Sequence, residues 1–366
     1  MATKGLPMTE VSALGRLLAV ARVLFGEREL RVLFACNVLL GLGSSFVLPF
    51  MSMFGTLEVG MALTTFSAFM TATTTANILI SSVLARWSDR LRSRKTVLLL
   101  GAAAGGLGYF GYAFVRNPWW LLLLATVLLG IASLTFSQLF AHARERLERS
   151  AASPAETPLY MNAFRMAFAA AWTLGPALAA HTLRTFGFRG LFLGAAGFYL
   201  LLFVLVLAFV ASSQPSSAAS HAVQPTNAPP PLGARARSTL WTRPDVLPWL
   251  VAFILVFAAQ SIAMSNMSLY VLHELEGTAA HVGFIFSLAP MFEVPFMLYV
   301  GLVASRVEAA QLIRWSMALS VVYFGALVLV QAPWQIYPLQ ALSAAIVAVT
   351  SGIAITFFQN KLPGQQ

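Results

Sequence analysis

Long apolar runs, broken by short charged or glycine-containing turns, repeat along almost the whole chain. Ten of them approach the roughly 20 residues that a helix needs to cross the hydrocarbon of a bilayer. They cover about residues 31–54, 61–84, 96–115, 119–140, 160–183, 190–211, 248–272, 281–304, 311–330 and 334–358. The separators are Glu58-Val-Gly60, the basic stretch Ala85–Thr96, Arg116-Asn-Pro118, the run from His142 to Pro158, Arg184 to Arg189, and Glu274 to Gly277. In lipid only helices and closed barrels satisfy the backbone, and these runs are too long and too uniformly apolar for the alternating strands of a barrel. The pattern predicts an all-α polytopic membrane protein with about ten transmembrane helices.

Two segments fall outside that pattern. Residues 212–243 are rich in Pro, Ser and Ala, include Pro229-Pro-Pro231 and have no apolar period, as a flexible linker does. Leu17, Leu18, Val20, Val23 and Leu24 lie near Arg16 and Arg22, which suits an anchoring helix lying in the membrane interface. The expected organisation is an N-terminal segment 1–30, a six-helix bundle 31–211, a linker 212–247 and a four-helix bundle 248–366.

Basic residues set the expected orientation. Five precede or open the first run (Lys4, Arg16, Arg22, Arg28, Arg31), and five more stand in the stretch Ala85–Thr96 (Arg86, Arg90, Arg92, Arg94, Lys95). Arg144, Arg146, Arg149, Arg235, Arg237, Arg243, Arg306, Arg314 and Lys361 fall on the same side, while Arg116, Arg184 and Arg189 fall on the other. Nineteen against three places both termini and the long central linker in the cytoplasm.

Composition agrees: 58% of the 366 residues are hydrophobic and 10% charged, against about 25% charged in a soluble domain. The net charge of +10 comes from residues at the ends of apolar runs and forms no basic stripe interleaved with aromatics, so no nucleic-acid partner is expected. Cys36, the single cysteine, excludes a disulfide within the chain. There is no phosphate-binding loop, zinc spacing or nucleophile constellation, so neither an enzyme nor a nucleotide-driven pump is expected, and no cofactor or metal.

Ionisable and amide groups inside the runs are then the candidate chemistry. Glu293 sits about eleven residues into the eighth run between Pro290 and Pro295. A carboxyl there is cheaper neutral than charged, so it can take up a proton during transport. Arg165 lies about five residues inside the fifth run, roughly 8 Å deep against roughly 16 Å for Glu293. Gln260 and Trp172 stand near mid-membrane, with Asn37, Asn77, Gln138, Asn266 and Tyr270 as further polar or amphipathic groups. A sugar site needs such amides for hydroxyls and an aromatic face for the ring. Polar side chains also join neighbouring helices, so each of these has a structural reading beside the functional one.

The stretch Ala85–Thr96 resembles the loop between the second and third helices of the major facilitator superfamily. Its spacing, Ser88-Asp89-x-x-x-x-Arg94-Lys95, is similar to that of the bacterial sugar efflux transporters. Further similarity lies in Gln138-Leu-Phe-Ala-x-Ala-Arg-Glu145, Arg165, Trp172, Gly175-Pro176, Leu269 to Leu275, Glu293-x-Pro295 and Phe358-Gln359-x-x-x-Pro363-Gly364. The resemblance implies a major-facilitator fold and alternating access between two bundles. Its function would be export of sugars or glycosides from the cytoplasm across a bacterial inner membrane, by proton antiport, as a monomer in the bilayer.

It also implies roles for particular residues. Asp89, with Arg90, Arg94 and Lys95, would belong to a cytoplasmic gate, Gly175-Pro176 would bend during gating, and Arg165 and Glu293 would face one another across the two bundles as a state-dependent pair. Snorkelling of Arg165 to headgroups is the alternative. Two departures are notable: Asn266 stands where the family has an aspartate, and Gln366 ends the chain where the family continues into an eleventh and a twelfth helix. The expectation is therefore a six-plus-four arrangement in which Asp89 lacks its usual partner. Export of drugs or other metabolites, and a truncated inactive membrane protein, are the competing readings.

Overall fold

The computed structural model describes residues 26–88, 94–149, 157–210, 246–303 and 307–361. The interfacial helix expected near residues 16–26, Asp89, Arg90, most of the central linker and the Pro363-Gly364 turn lie outside the described residues. Within them the protein is all-helical, and seven stretches are long and apolar enough to cross a membrane.

In the first half, α1 is Arg28–Glu58, α2 Leu63–Ser88, α3 Arg94–Phe114, α4 Pro118–Arg149 and α5 Thr157–Phe209. The second half holds α6 Leu247–Glu274, α7 Ala279–Val303, α8 Ala309–Val328 and α9 Ile336–Lys361. The turns fall where charged and glycine residues interrupt the apolar pattern. Asn117 caps α4, its Oδ1 accepting from the backbone N–H of Trp119 (3.0 Å) and Trp120 (3.4 Å), with Pro118 in the first turn where no N–H is needed. Inside α5, Gly187 adopts φ 64°, ψ −168°, a conformation that glycine reaches without strain, and the helix reverses there.

Ring contacts along α1 show that reversal. Near its start α1 meets both ends of α5, with Phe34 packing on Phe164 and the Arg28 guanidinium over Phe209. Near its far end Phe54 packs on Phe188 and Phe192. The two limbs of α5, on either side of Gly187, thus run antiparallel beside α1. Phe54, Tyr112 and Phe192 form a buried aromatic cluster with centroids 4.6 to 5.9 Å apart.

Ion pairs fasten the end of this half where α1 begins. Arg146 bridges Glu27 (2.9 Å) and Glu29 (2.8 Å), while Glu29 also meets the buried His142 at 3.3 Å. Arg94 pairs with Glu145 at 3.3 Å, and Glu145 pairs with Arg149 one turn along. Lys95 Nζ donates to the carbonyl of Leu207 at 3.0 Å. Arg94 and Lys95, expected at a gate, therefore hold α3 against α4 and α5 within the first half. At the opposite end Arg116 pairs with Glu58 at 3.0 Å.

The hydrophobic core divides unevenly. One cluster runs through α1, α3, α4 and α5 and continues into Met267, Val271, Leu275, Val282, Ile285 and Phe286 of the second half. A separate cluster holds Phe253, Ala310, Leu312, Ile313, Val349 and Phe357, near the start of α6 and the end of α9. The halves share a core where α1 and α6 finish, and have separate cores toward the other end.

Candidate functional site

That division leaves a cavity of about 750 Å³ between the halves, within the roughly 300–1,000 Å³ range of small-molecule sites. Each wall is a single helix face. Arg165, Phe168 and Trp172 on α5 follow three- and four-residue steps, as do Gln260, Met264 and Met267 on α6. On α7, Phe286, Pro290, Glu293, Met297 and Val300 form one stripe, and Gln340, Ser343 and Val347 line the cavity from α9. Tyr323 of α8 completes the wall.

A seal closes the cavity at one end. Ser268 on α6 donates from its hydroxyl to the carbonyl of Pro49 in α1, and both this serine and Met267 beside it are buried. Pro49 is the middle residue of a turn of 3-10 helix, Leu48–Phe50, because proline supplies no N–H and crowds the preceding turn. Alongside, α7 touches α5 at Gly283, where a Cβ would stand 2.6 Å from the Pro176 carbonyl oxygen and 2.7 Å from Ala180 Cβ. Only a residue without a side chain permits that approach. Arg165 lines the cavity away from this seal and is exposed.

Four of the residues singled out from the sequence meet in this cavity: Arg165, Trp172, Gln260 and Glu293. Arg165 and Glu293 stand on walls from different halves, and among the described residues they form no ion pair with each other. Gly175 and Pro176 lie behind the α5 wall, Gly175 buried against Ser45 of α1 and Pro176 against Gly283 of α7.

The other sequence candidates do not line the cavity, and each is placed by a bond elsewhere or by packing. Asn37 is fully buried and donates to the Phe164 carbonyl at 2.5 Å, joining α1 to α5. Asn77 packs from α2 toward Gly130 of α4, and Gln138 is half-buried on α4. Asn266 donates to Ile262 of its own helix at 2.9 Å. Tyr270 donates toward the carbonyls of Leu327 (3.1 Å) and Val330 (3.3 Å), fastening α6 to the end of α8. In an apolar surrounding a polar side chain takes whichever carbonyl its neighbour offers. Tyr270→Phe is thus expected to lower the unfolding stability of the purified protein by about 1 kcal/mol and leave transport unchanged. A transport defect at unchanged stability would instead put Tyr270 in contact with cargo.

Sequence reading passed over Gln340, Ser343 and Tyr323. The available signal was weak: Gln340 and Ser343 are polar residues three apart in an otherwise apolar run, hence on one helix face. Two polar atoms of cavity-lining residues, Trp172 Nε1 and Gln260 Oε1, have no protein partner among the described residues, and Gln340 Nε2, beside the Tyr323 hydroxyl, has a second hydrogen to spare. An unmatched buried donor or acceptor costs about 1–3 kcal/mol, so such atoms mark where a polar cargo can bind.

The sequence profile described as Major Facilitator Superfamily matches residues 33–365. The chain belongs to the major facilitator superfamily. It is a multi-pass membrane transporter and not an enzyme. Within the superfamily it groups with the bacterial sugar efflux transporters. A Deinococcus radiodurans protein provisionally named a sugar efflux transporter is 35% identical over 90% of this chain and 82% of its own length. Sugar efflux transporter A of Dickeya chrysanthemi is 29% identical over 89% of this chain and 79% of its own. Among solved structures, the nucleoside transporter NupG superposes with a TM-score of 0.73 at 14% identity, covering 91% of this chain and 82% of that one. A D-xylose-proton symporter gives 0.59 at 13% identity, covering 90% and 81%. These two likenesses are of fold.

Proposed function

We propose that this facilitator exports sugars or glycosides across the bacterial inner membrane by alternating access, in exchange for protons, as a monomer. The observation that carries the reading is the gathering of Trp172, Gln260, Gln340 and Glu293 around one cavity, on helices from both halves, where the uncharged Trp172 Nε1 and Gln260 Oε1 lack a protein partner among the described residues and the space fits a small molecule. Uncharged donors and acceptors beside an indole suit a neutral polyhydroxylated cargo, and the names of the relatives point the same way.

The positive-inside asymmetry puts the basic helix ends in the cytoplasm. The seal between Pro49, Ser268 and Gly283 is then the outer gate, and the conformation is the one that loads cargo for export. Closing the inner side brings Arg165 and Glu293 together, and protonation of Glu293 releases that pair. Gly175 and Pro176 carry the bend of α5 over the outer gate. The apolar share of the wall, including Met264, Met267, Met297 and Phe286, supports a second reading in which amphipathic drugs are the cargo.

The test is accumulation of labelled lactose, glucose and methyl glucosides in cells expressing the chain, beside a panel of amphipathic drugs. Lower accumulation of at least one sugar, with drug levels unchanged, is the expected result. Unchanged levels of every sugar would overturn the reading.

A further inference from the structure

On the second-half wall of the cavity four polar side chains from three helices meet. Gln340 and Ser343 sit one turn apart on α9, and Tyr323 reaches them from α8, its hydroxyl adjoining both. Across from them Gln260 of α6 donates from Nε2 to Ser343 Oγ at 3.3 Å. Gln340, Ser343 and Tyr323 are 4%, 6% and 3% exposed, so this cluster is set into the protein and does not sample solvent at a surface.

After these contacts Gln260 Oε1 is unmatched among the described residues, and Gln340, whose amide donates to the Tyr323 hydroxyl, keeps the second hydrogen of Nε2. One accepts a hydrogen bond and the other donates one. Among the described residues no Lys, Arg, Asp or Glu other than Arg165 and Glu293 lines the cavity, so on this wall recognition falls to neutral groups. A hydroxyl donates and accepts at once, and two hydroxyls on adjacent ring carbons present a donor and an acceptor side by side. An amine would suit only the oxygen and a carboxylate only the nitrogen.

We propose that Gln260 and Gln340 form a two-amide clamp on a pair of neighbouring hydroxyls of the cargo, with Ser343 and Tyr323 as positioning residues that hold the amides in register. Gln260 Oε1 accepts from one hydroxyl and Gln340 Nε2 donates to the next. This deepens, and rests on, the reading of the cargo as a sugar. It assigns the sugar's orientation: its polar edge lies against α6 and α9, leaving Trp172 of α5 for another part of the molecule.

The test is counterflow in proteoliposomes of the full chain, with labelled lactose, glucose, galactose and methyl glucosides as probes. For whichever sugar exchanges, its monodeoxy analogues serve as competitors. Wild-type protein is expected to bind the analogues lacking one of two adjacent hydroxyls roughly threefold to tenfold more weakly than the parent, the worth of one hydrogen bond. Gln340→Met and Gln260→Met, near-isosteric and apolar, are each expected to abolish that discrimination at one of the two positions while discrimination at other positions persists. A change confined to one position is something a misfolded protein does not produce, and Ser343→Ala should weaken both positions together. Exchange of a sugar with an unchanged deoxy profile in both glutamine variants, or a flat profile in wild type, would overturn the clamp and leave the sugar reading standing. Exchange of none of the sugars would overturn both.

Discussion

Glu293→Gln is expected to abolish sugar-driven proton movement and to lower sugar export at least about tenfold, a barrier increase of about 1.4 kcal/mol. The amide keeps the shape of the neutral acid but can neither lose a proton nor pair with Arg165. In proteoliposomes containing a pH-sensitive dye, wild type should show proton flux when sugar is added, and export should vary with pH. The variant should show neither. If Arg165 is the partner on the inner side, Arg165→Ala should reduce export to a similar extent, and both variants should lose a cross-linkable closed state between α5 and α7. Wild-type export with wild-type proton flux in Glu293→Gln would remove this carboxyl from the coupling, whereas normal export without proton flux would leave a facilitated exporter.

Gly283→Leu is expected to prevent the seal between the halves, proposed as the outer gate, from closing. A Cβ at this position falls 2.6 Å from the backbone oxygen of Pro176 and 2.7 Å from Ala180, and neither atom is the yielding end of a long side chain. Overpacking of this kind costs about 1–3 kcal/mol, which moves a two-state equilibrium about 5–150-fold away from the sealed conformer. Under the proposed alternating access, which needs both conformers, export should fall strongly while the protein stays folded in the membrane. A reporter exists in Ser268, buried in the seal: Ser268→Cys, in a chain with Cys36→Ala, should resist a membrane-impermeant thiol reagent in the parent and react from outside once Gly283→Leu is added. Unaltered labelling together with unaltered export would show that α5 and α7 part without using this contact.

How far the site could be read in advance differed from residue to residue, for physical reasons. Arg165 and Glu293 stood out because an ionisable group inside an apolar run is costly enough to need a purpose. Gln260 and Trp172 could be placed near mid-membrane by counting along their runs. Asn37, Asn266 and Tyr270 look no different in the sequence, yet they are bonded to Phe164, Ile262 and the Leu327 and Val330 carbonyls. The hydrogen bond of an amide depends on which carbonyl lies within about 3 Å, and helix order along the chain carries no such distance. Gln340 shows the converse, an unremarkable polar residue that becomes prominent only when Tyr323, Ser343 and Gln260 converge on it.

By itself the sequence determined the helical class, the apolar stretches, the turns at Arg116-Asn-Pro118 and within Arg184 to Arg189, and the charge asymmetry, because these follow from backbone hydrogen bonding in lipid and from local residue chemistry. Tertiary structure alone decided which end of the cavity is sealed, which polar residues face it and which are spent between helices. Those outcomes depend on close approaches such as Gly283 to Pro176 and Ser268 to Pro49, between residues more than a hundred positions apart, where no local pattern constrains the spacing.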